Sequence, residues 1–283
     1  MEIQQTPPYA RYIRSLGWEI LSVETNNIFI KKLPLIGTYA KIQRPTKLPY
    51  LPHLIPLLRK YGVTTLAVEP SENCTQSDFS FWTRSVSKFF RIPKSPFLPT
   101  KTIRVGLSGT EQHLFRSLSE AKRRAVRKAW KNNIYVTVSS DIDALIAVKN
   151  KSAGFLGSIT TVGIPTLFSL FSPKNAAVLL AYQKRSDKPP LQGPPLGAIL
   201  LLWWDSLAYY WIAGSLQRGK TLAVPTLLVW EALRYAKKIG CTQFDFLGVW
   251  DERLPEENTS WKGFTRFKEG FGGQHLYYPI TTL

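Results

Sequence analysis

Over the first hundred positions, apolar residues fall in short runs separated by turn residues, a pattern that predicts interleaved strands and helices. Residues 18–23, 27–31 and 38–43 read as strands. Residues 49–61 read as a helix, with Leu51, Leu54, Ile55 and Leu58 on one face and Gly62 as its stop. A further strand is expected over 63–68. The proline-studded connector 92–99 (IPKSPFLP) is the natural boundary between two domains.

Beyond the connector, 102–107 reads as a strand. Ser108 and Glu111 have capping-box spacing, which predicts one helix over 111–132 with Leu114, Leu118, Ala121, Ala125 and Ala129 inward. Residues 134–138 and 177–183 read as strands, with helix between 145 and 170 broken at Gly154 and Gly163–Pro165. The segment 184–195 is expected to be an exposed hairpin loop. The apolar stretch 196–216 is long enough to span a bilayer, but Asp205 sits at its middle. Asp205-Ser206 is better read as a turn between strands 198–204 and 207–213. A loop over 214–224, a helix from Pro225 to Ile239 capped by Gly240, and a strand over 243–247 complete the pattern.

Composition adds three constraints. At 283 residues the chain has the length of two domains, and 44% apolar content excludes general disorder. Its two cysteines make no disulfide framework, which points to a reducing compartment, and its three histidines have no zinc-ligand spacing, so no metal site is expected. Lys and Arg number 37 against 19 Asp and Glu, a net +18, which calls for a polyanionic partner. Much of that surplus sits in Lys122, Arg123, Arg124, Arg127, Lys128 and Lys131. The helix dipole explains some of these, and phosphate contact is the functional reading. The opening MEIQQTPPYARYI has no apolar core of a secretory signal.

GSLQRGKT (214–221) matches the phosphate-loop pattern letter for letter. Pro225 follows where the loop's helix needs its hydrogen bonds, and no apolar strand ending in Asp comes after, so the match reads as coincidence. Hairpin, small-residue loop, helix and strand over 198–247 instead resemble the core of the N-acetyltransferase (GNAT) superfold. Its glycine-rich pyrophosphate run is absent, which argues against coenzyme A.

The C-terminal text is the most specific: FDFLGV (244–249), then GFTRFKEGFGG (263–273). Here the chain resembles the FemABX family of aminoacyl-tRNA-dependent peptidyltransferases. Gln5 through Gly17-Trp18, the stretch 34–45 and the stretch 119–136 are similar to three further family runs, although Tyr9 stands where a tryptophan is usual and no glycine follows Arg44. The resemblance implies an α/β chain of two GNAT-like domains with mixed sheets and no coiled-coil arm. Domain one would be 1–100, with 276–283 packing back on it, and bind the acceptor; domain two would be 101–275 and bind the donor. The donor implied is aminoacyl-tRNA, and the acceptor an amine of a uridine-diphosphate-linked or lipid-linked muropeptide. No cofactor is expected, and the expected form is a cytoplasmic monomer able to dock on the inner membrane face.

On this reading Lys268, which aligns with the family's Phe-Lys pair, is catalytic, and Glu69 is the candidate to recognise or deprotonate the acceptor amine. Tyr210, Trp211 and Ser215 would hold the donor, with Arg266 on a phosphate, on the same strand face as Lys268 if extended. Asp245 is expected to partner Arg266. Arg14 and Arg44 would meet a diphosphate by motif position. Arg123, Arg124, Arg127 and Lys128 would bind tRNA. The alternatives are a GNAT-fold N-acyltransferase using acyl-coenzyme A on a cell-envelope or small-molecule amine, and a non-enzymatic tRNA- or membrane-binding module.

Overall fold

The computed structural model describes residues 1–35, 37–154, 157–184 and 193–282, and the chain divides into two compact units, 1–102 with 276–283, and 103–275. In the first unit a 3-10 turn (Ile3–Gln5) leads into α1 (Pro7–Ser15), where Thr6 caps the helix and prolines occupy its first turn. β1 (Glu19–Val23), β2 (Asn26–Leu33) and β3 (Gly37–Gln43) form an antiparallel meander. α2 (Leu51–Lys60) then crosses over so that β4 (Val63–Glu69) pairs parallel to β3. α3 (Gln76–Val86) completes the layer. Ala40, Ile42, Leu66 and Val68 pack with Leu54, Leu58, Phe79 and Trp82 of α2 and α3, giving this unit its own core.

The opposite face of that sheet is polar and tied down. Glu69 is buried and accepts hydrogen bonds from the backbone N–H of Phe97 (2.6 Å) and of Leu98, and from Gln43 Nε2 (3.0 Å). The Arg44 guanidinium, also buried, donates to the carbonyls of Pro70 (2.7 Å) and Pro99 (2.5 Å) and lies 3.3 Å from the Tyr278 ring centre. The proline connector is thereby anchored rather than loose.

The second unit is built on a seven-stranded sheet in the order β11-β5-β10-β9-β8-β7-β6. Its elements run β5 (Lys101–Gly106), α4 (Glu111–Ser117), α5 (Glu120–Lys131), β6 (Ile134–Ser139), α6 (Ile142–Ala153), α7 (Gly157–Thr160), α8 (Ile164–Phe171), β7 (Ala176–Gln183), β8 (Gly197–Trp204), β9 (Leu207–Ser215), α9 (Gln217–Thr221), α10 (Val224–Lys238), β10 (Gln243–Gly248), α11 (Lys262–Glu269) and β11 (Gln274–Tyr277). β6 to β9 are antiparallel, and β10 is parallel to β9. β7 and β8 are buried on both faces, which is why they read as unbroken apolar runs. Leu179, Ala181, Ile199 and Leu201 share a core with α5 and α10, while the alternate residues point toward the side where α6 packs.

The membrane-length stretch is the expected hairpin: Trp204 pairs with Leu207 across Asp205, which takes a positive φ of 50°. No helix among the described residues is long and apolar enough to cross a membrane. The expected hairpin loop 184–195 lies largely outside the described residues. Three other expectations are corrected. The helix over 111–132 is two helices, because Leu118 is extended and Ser119 starts a new N-cap. The first of them is capped by Thr110, whose hydroxyl accepts from the His113 N–H (3.1 Å), and not by the Ser108–Glu111 box. The loop 214–224 contains α9. Residues 262–269 are helical, so the extended arrangement that would put Arg266 and Lys268 on one strand face does not occur.

Candidate donor site at the divergence of β9 and β10

β9 and β10 stay paired for only three residues, Leu207–Tyr209 against Gln243–Asp245. β9 then follows β8 as far as Ser215. Across that pair Leu201 faces Tyr210 and Leu200 faces Ile212, so Trp211 is an extra residue. A bulge of this kind bends its strand and increases its twist. A cavity of about 150 Å³ opens here, walled by Ala198 and Ile199 of β8, Tyr210, Ala213, Gly214 and Ser215 of β9, and Pro225 and Leu228 of α10.

Gly214 is required by packing. A Cβ there would stand 2.9 Å from Lys149 Cα and 3.2 Å from Lys149 N, backbone atoms of α6. Gly214→Ala therefore costs about 1–3 kcal/mol through overpacking, read as a lower denaturation midpoint at an unchanged slope. Gly219 is likewise pressed against Leu196 O, 2.5 Å from where its Cβ would be. The Gly-x-x-x-x-Gly text thus serves close packing in a strand and a short helix, and does not build an open phosphate loop.

Lys268 lies beside the Tyr210 wall of this cavity. Its side chain projects from α11 and is only 8% exposed. Nζ donates to the carbonyls of Phe246 (2.8 Å) and Gly248 (2.7 Å), and sits 5.8 Å from the centre of the Tyr210 ring and 4.9 Å from that of Phe264. Those carbonyls converge because Leu247 takes a positive φ of 56°, with its N–H held by Asp245 Oδ1 at 2.6 Å. Desolvation pushes the ammonium down to about 8, against the raising effect of Asp245. Burial also pushes the Tyr210 phenol up, so it stays a neutral donor or acceptor.

Asp245 is 1% exposed and takes Arg104 Nε at 2.7 Å. The expected Asp245–Arg266 pair is corrected: Arg266 is exposed on α11, where a two-residue offset points it away from Lys268. The other expected site residues fall as follows. Trp211 is the half-buried bulge residue, and Ser215 is buried with its hydroxyl donating to Leu196 O (3.2 Å). Arg14 is exposed near the end of α1, while Arg44 and Glu69 are buried in the first unit as described above.

On α5, Arg123 is half-buried and caps α4, donating to Arg116 O (2.8 Å) and to Leu118 O. Arg124 pairs with Glu120 at 3.3 Å, and Arg127 and Lys128 are exposed. Lys122 was missed as distinct from these. Its Nζ lies 3.6 Å from the Phe267 ring centre and 4.9 Å from that of Phe271, and burial pushes it down to about 8. The signal was helical phase, since Lys122 stands four and seven residues before Val126 and Ala129, the buried stripe of α5. No cluster of His, Cys, Asp and Glu fit to hold a metal ion occurs among the described residues.

A mixed α/β chain whose second unit has a bulged, diverging strand pair is of the tandem GNAT-like class. Fold comparison gives the same class: FemX superposes with a TM-score of 0.76 at 15% identity, covering 98% of this chain and 90% of that one. L-PGS from Bacillus licheniformis gives 0.59 at 12%, covering 95% and 85%. A tandem GNAT protein from the clavulanic acid pathway gives 0.53 at 12%, covering 89% and 77%. No coiled-coil arm occurs among the described residues. The FemAB family model matches residues 177–278, the segment that carries the cavity and Lys268. No curated protein matches the chain in sequence.

Proposed function

We propose that this protein transfers an amino acid from the 3′ ester of an aminoacyl-tRNA to a stem-peptide amine of a peptidoglycan precursor, linked to uridine diphosphate or to lipid. The observation that carries this reading is the Lys268 ammonium, held by two carbonyls 5.8 Å from the ring of Tyr210, which walls the cavity. Two of its N–H groups are committed to those carbonyls, and on this reading the third meets the anion that forms during transfer.

The reaction asks little of a covalent catalyst, because the ester is already activated. The acceptor nitrogen attacks the ester carbonyl, the carbon–ribose oxygen bond breaks, and the amine proton leaves with the ribose hydroxyl or solvent. Lys268 stabilises the tetrahedral oxyanion. A thiol intermediate has no support: Cys241 is buried and pushed up to about 11, and burial also raises Cys74. In the alternative acyl-coenzyme A reading, the segment after β9 would cradle a pyrophosphate. That segment is α9, with Gly219 buried against a carbonyl, which favours the tRNA donor. Placement in the cytoplasm, with the basic surface drawn to anionic lipid when the acceptor is lipid-linked, belongs to the same proposal.

The test is to supply a labelled muropeptide with charged tRNA or with acyl-coenzyme A and follow which donor is consumed. Turnover with the thioester alone overturns the proposal. Exposed cations on α5 give a second check. Replacing Arg124, Arg127 and Lys128 together by glutamine weakens tRNA binding and flattens the log–log salt dependence by about 2–3, one lost counterion contact per cation. An unchanged slope removes this helix from the RNA surface.

A further inference from the structure

We propose that the solvent side of α5 is a stacking platform for the unpaired 3′ end of the donor RNA, with a base on Trp130 and neighbouring phosphates on Arg127, Lys128 and Lys131. This deepens the aminoacyl-tRNA reading and rests on it. Trp130 is 45% exposed, although it stands in a helix whose buried face is Val126 and Ala129. One face of its ring is packed: it lies nearly parallel to Phe115, with centroids 6.1 Å apart and planes at 18°. Phe115 is in turn fixed edge-on against Trp230 of α10 at 5.1 Å, and the Arg127 guanidinium stands 5.5 Å from its ring. The indole is thus oriented by Phe115 while 45% of its surface stays exposed.

A single exposed aromatic residue needs no explanation in itself. The surroundings set this one apart. Arg127, Lys128 and Lys131 of α5 are exposed, and the one acid of the helix, Glu120, is engaged by Arg124. A pre-ordered π surface within a stripe of cations is the arrangement that binds single-stranded nucleic acid, with stacking for the base and charge for the backbone. A lipid surface fits less well, because the apolar face of α5 is spent on α10 and one indole is little to insert. The platform is joined to the donor cavity through α10, which supplies Pro225 and Leu228 to the cavity wall and Trp230 beneath Phe115.

The experiment measures binding of the full chain to intact tRNA, to the same tRNA trimmed of its unpaired 3′ nucleotides, and to phosphatidylglycerol vesicles. Trp130→Leu keeps apolar contact with Phe115 and loses the π face; Trp130→Phe restores it. The leucine variant should bind intact tRNA about 5- to 150-fold more weakly, the range that corresponds to about 1–3 kcal/mol of base stacking, at an unchanged salt slope. The phenylalanine variant should recover most of this, and trimmed tRNA should not distinguish leucine variant from wild type. Equal binding of intact tRNA, an equal loss on trimmed tRNA, or a loss confined to vesicles overturns the platform. Photocrosslinking of wild-type protein to a tRNA carrying a photoreactive 3′ base needs no variant: the adduct belongs on the Trp130 peptide, and an adduct only elsewhere overturns the proposal. If amino-acid transfer from tRNA persists while Trp130→Leu binds normally, the platform falls and the donor stands; a wild-type chain that binds no tRNA loses both.

Discussion

Replacing Lys268 with methionine lowers kcat for aminoacyl transfer by about 10²–10³-fold, the usual consequence of deleting one oxyanion donor. Methionine fills most of the volume, so the aromatic surroundings of Phe264 and Tyr210 persist while the charge disappears. The pH dependence separates a catalytic from a merely structural lysine. With Nζ pushed down to about 8, the rate should decline as pH rises through that value and the ammonium loses its proton. The methionine variant should lack this alkaline limb. A rate that instead climbs through about 8 would make Lys268 the base that takes the amine proton. The same shift has a stability consequence of defined sign. Between about 8 and the ordinary 10.5 the unfolded chain holds more protons than the folded one, so stability from this group rises with pH across that window. Lys122 contributes in the same window, so Lys268→Met removes only part of the slope in urea titrations.

The second large effect is on stability. Arg104→Met takes the guanidinium from buried Asp245, and Asp245→Ala takes the carboxylate from buried Arg104; either should cost about 3–5 kcal/mol. Both side chains are out of solvent, at 9% and 2% exposure, so little water is present to soften the loss. The damage extends to the site, because Asp245 also holds the Leu247 N–H that turns the Phe246 and Gly248 carbonyls toward Lys268. Asp245→Asn should be milder in stability yet move the alkaline limb to lower pH, since the carboxylate is what raises Lys268 against desolvation. Chemical denaturation of the three variants, with pH–rate profiles of those that fold, checks the coupling. Normal stability in both charge-deletion variants would mean that the ion pair contributes nothing net.

What could be read in advance depended on how local its cause was. The β8–β9 hairpin was legible because two apolar runs flank a turn pair, and local chemistry alone decides that geometry. α11 was not, since Phe264 and Phe267 match a helix and a strand poorly over so short a span, and the glycines that follow suggest looseness. The FemABX resemblance singled out Lys268 but said nothing of its surroundings. Those are made by a positive φ at Leu247 and by carbonyls twenty residues back in the chain. Asp245 was paired with Arg266 in the same C-terminal text, whereas its partner Arg104 lies 141 residues away on an adjacent strand. Lys122 was hidden among its neighbours, because a run of cations looks uniform until helical phase turns one of them inward. In the first unit, Glu69 drew attention at the end of an apolar strand and Arg44 by motif position; how thoroughly each is engaged by backbone groups could be seen only in three dimensions.

The most direct test is to locate the donor. A stable amide-linked mimic of an aminoacyl-tRNA 3′ end, with a diazirine in the aminoacyl side chain, is bound to the protein and irradiated, and the adduct is mapped by peptide mass spectrometry. Adducts on Tyr210, Ala213 or Leu228, lost on competition with natural aminoacyl-tRNA, are the predicted result. Labelling that avoids the cavity walls, or that coenzyme A competes away while tRNA does not, would contradict the assignment.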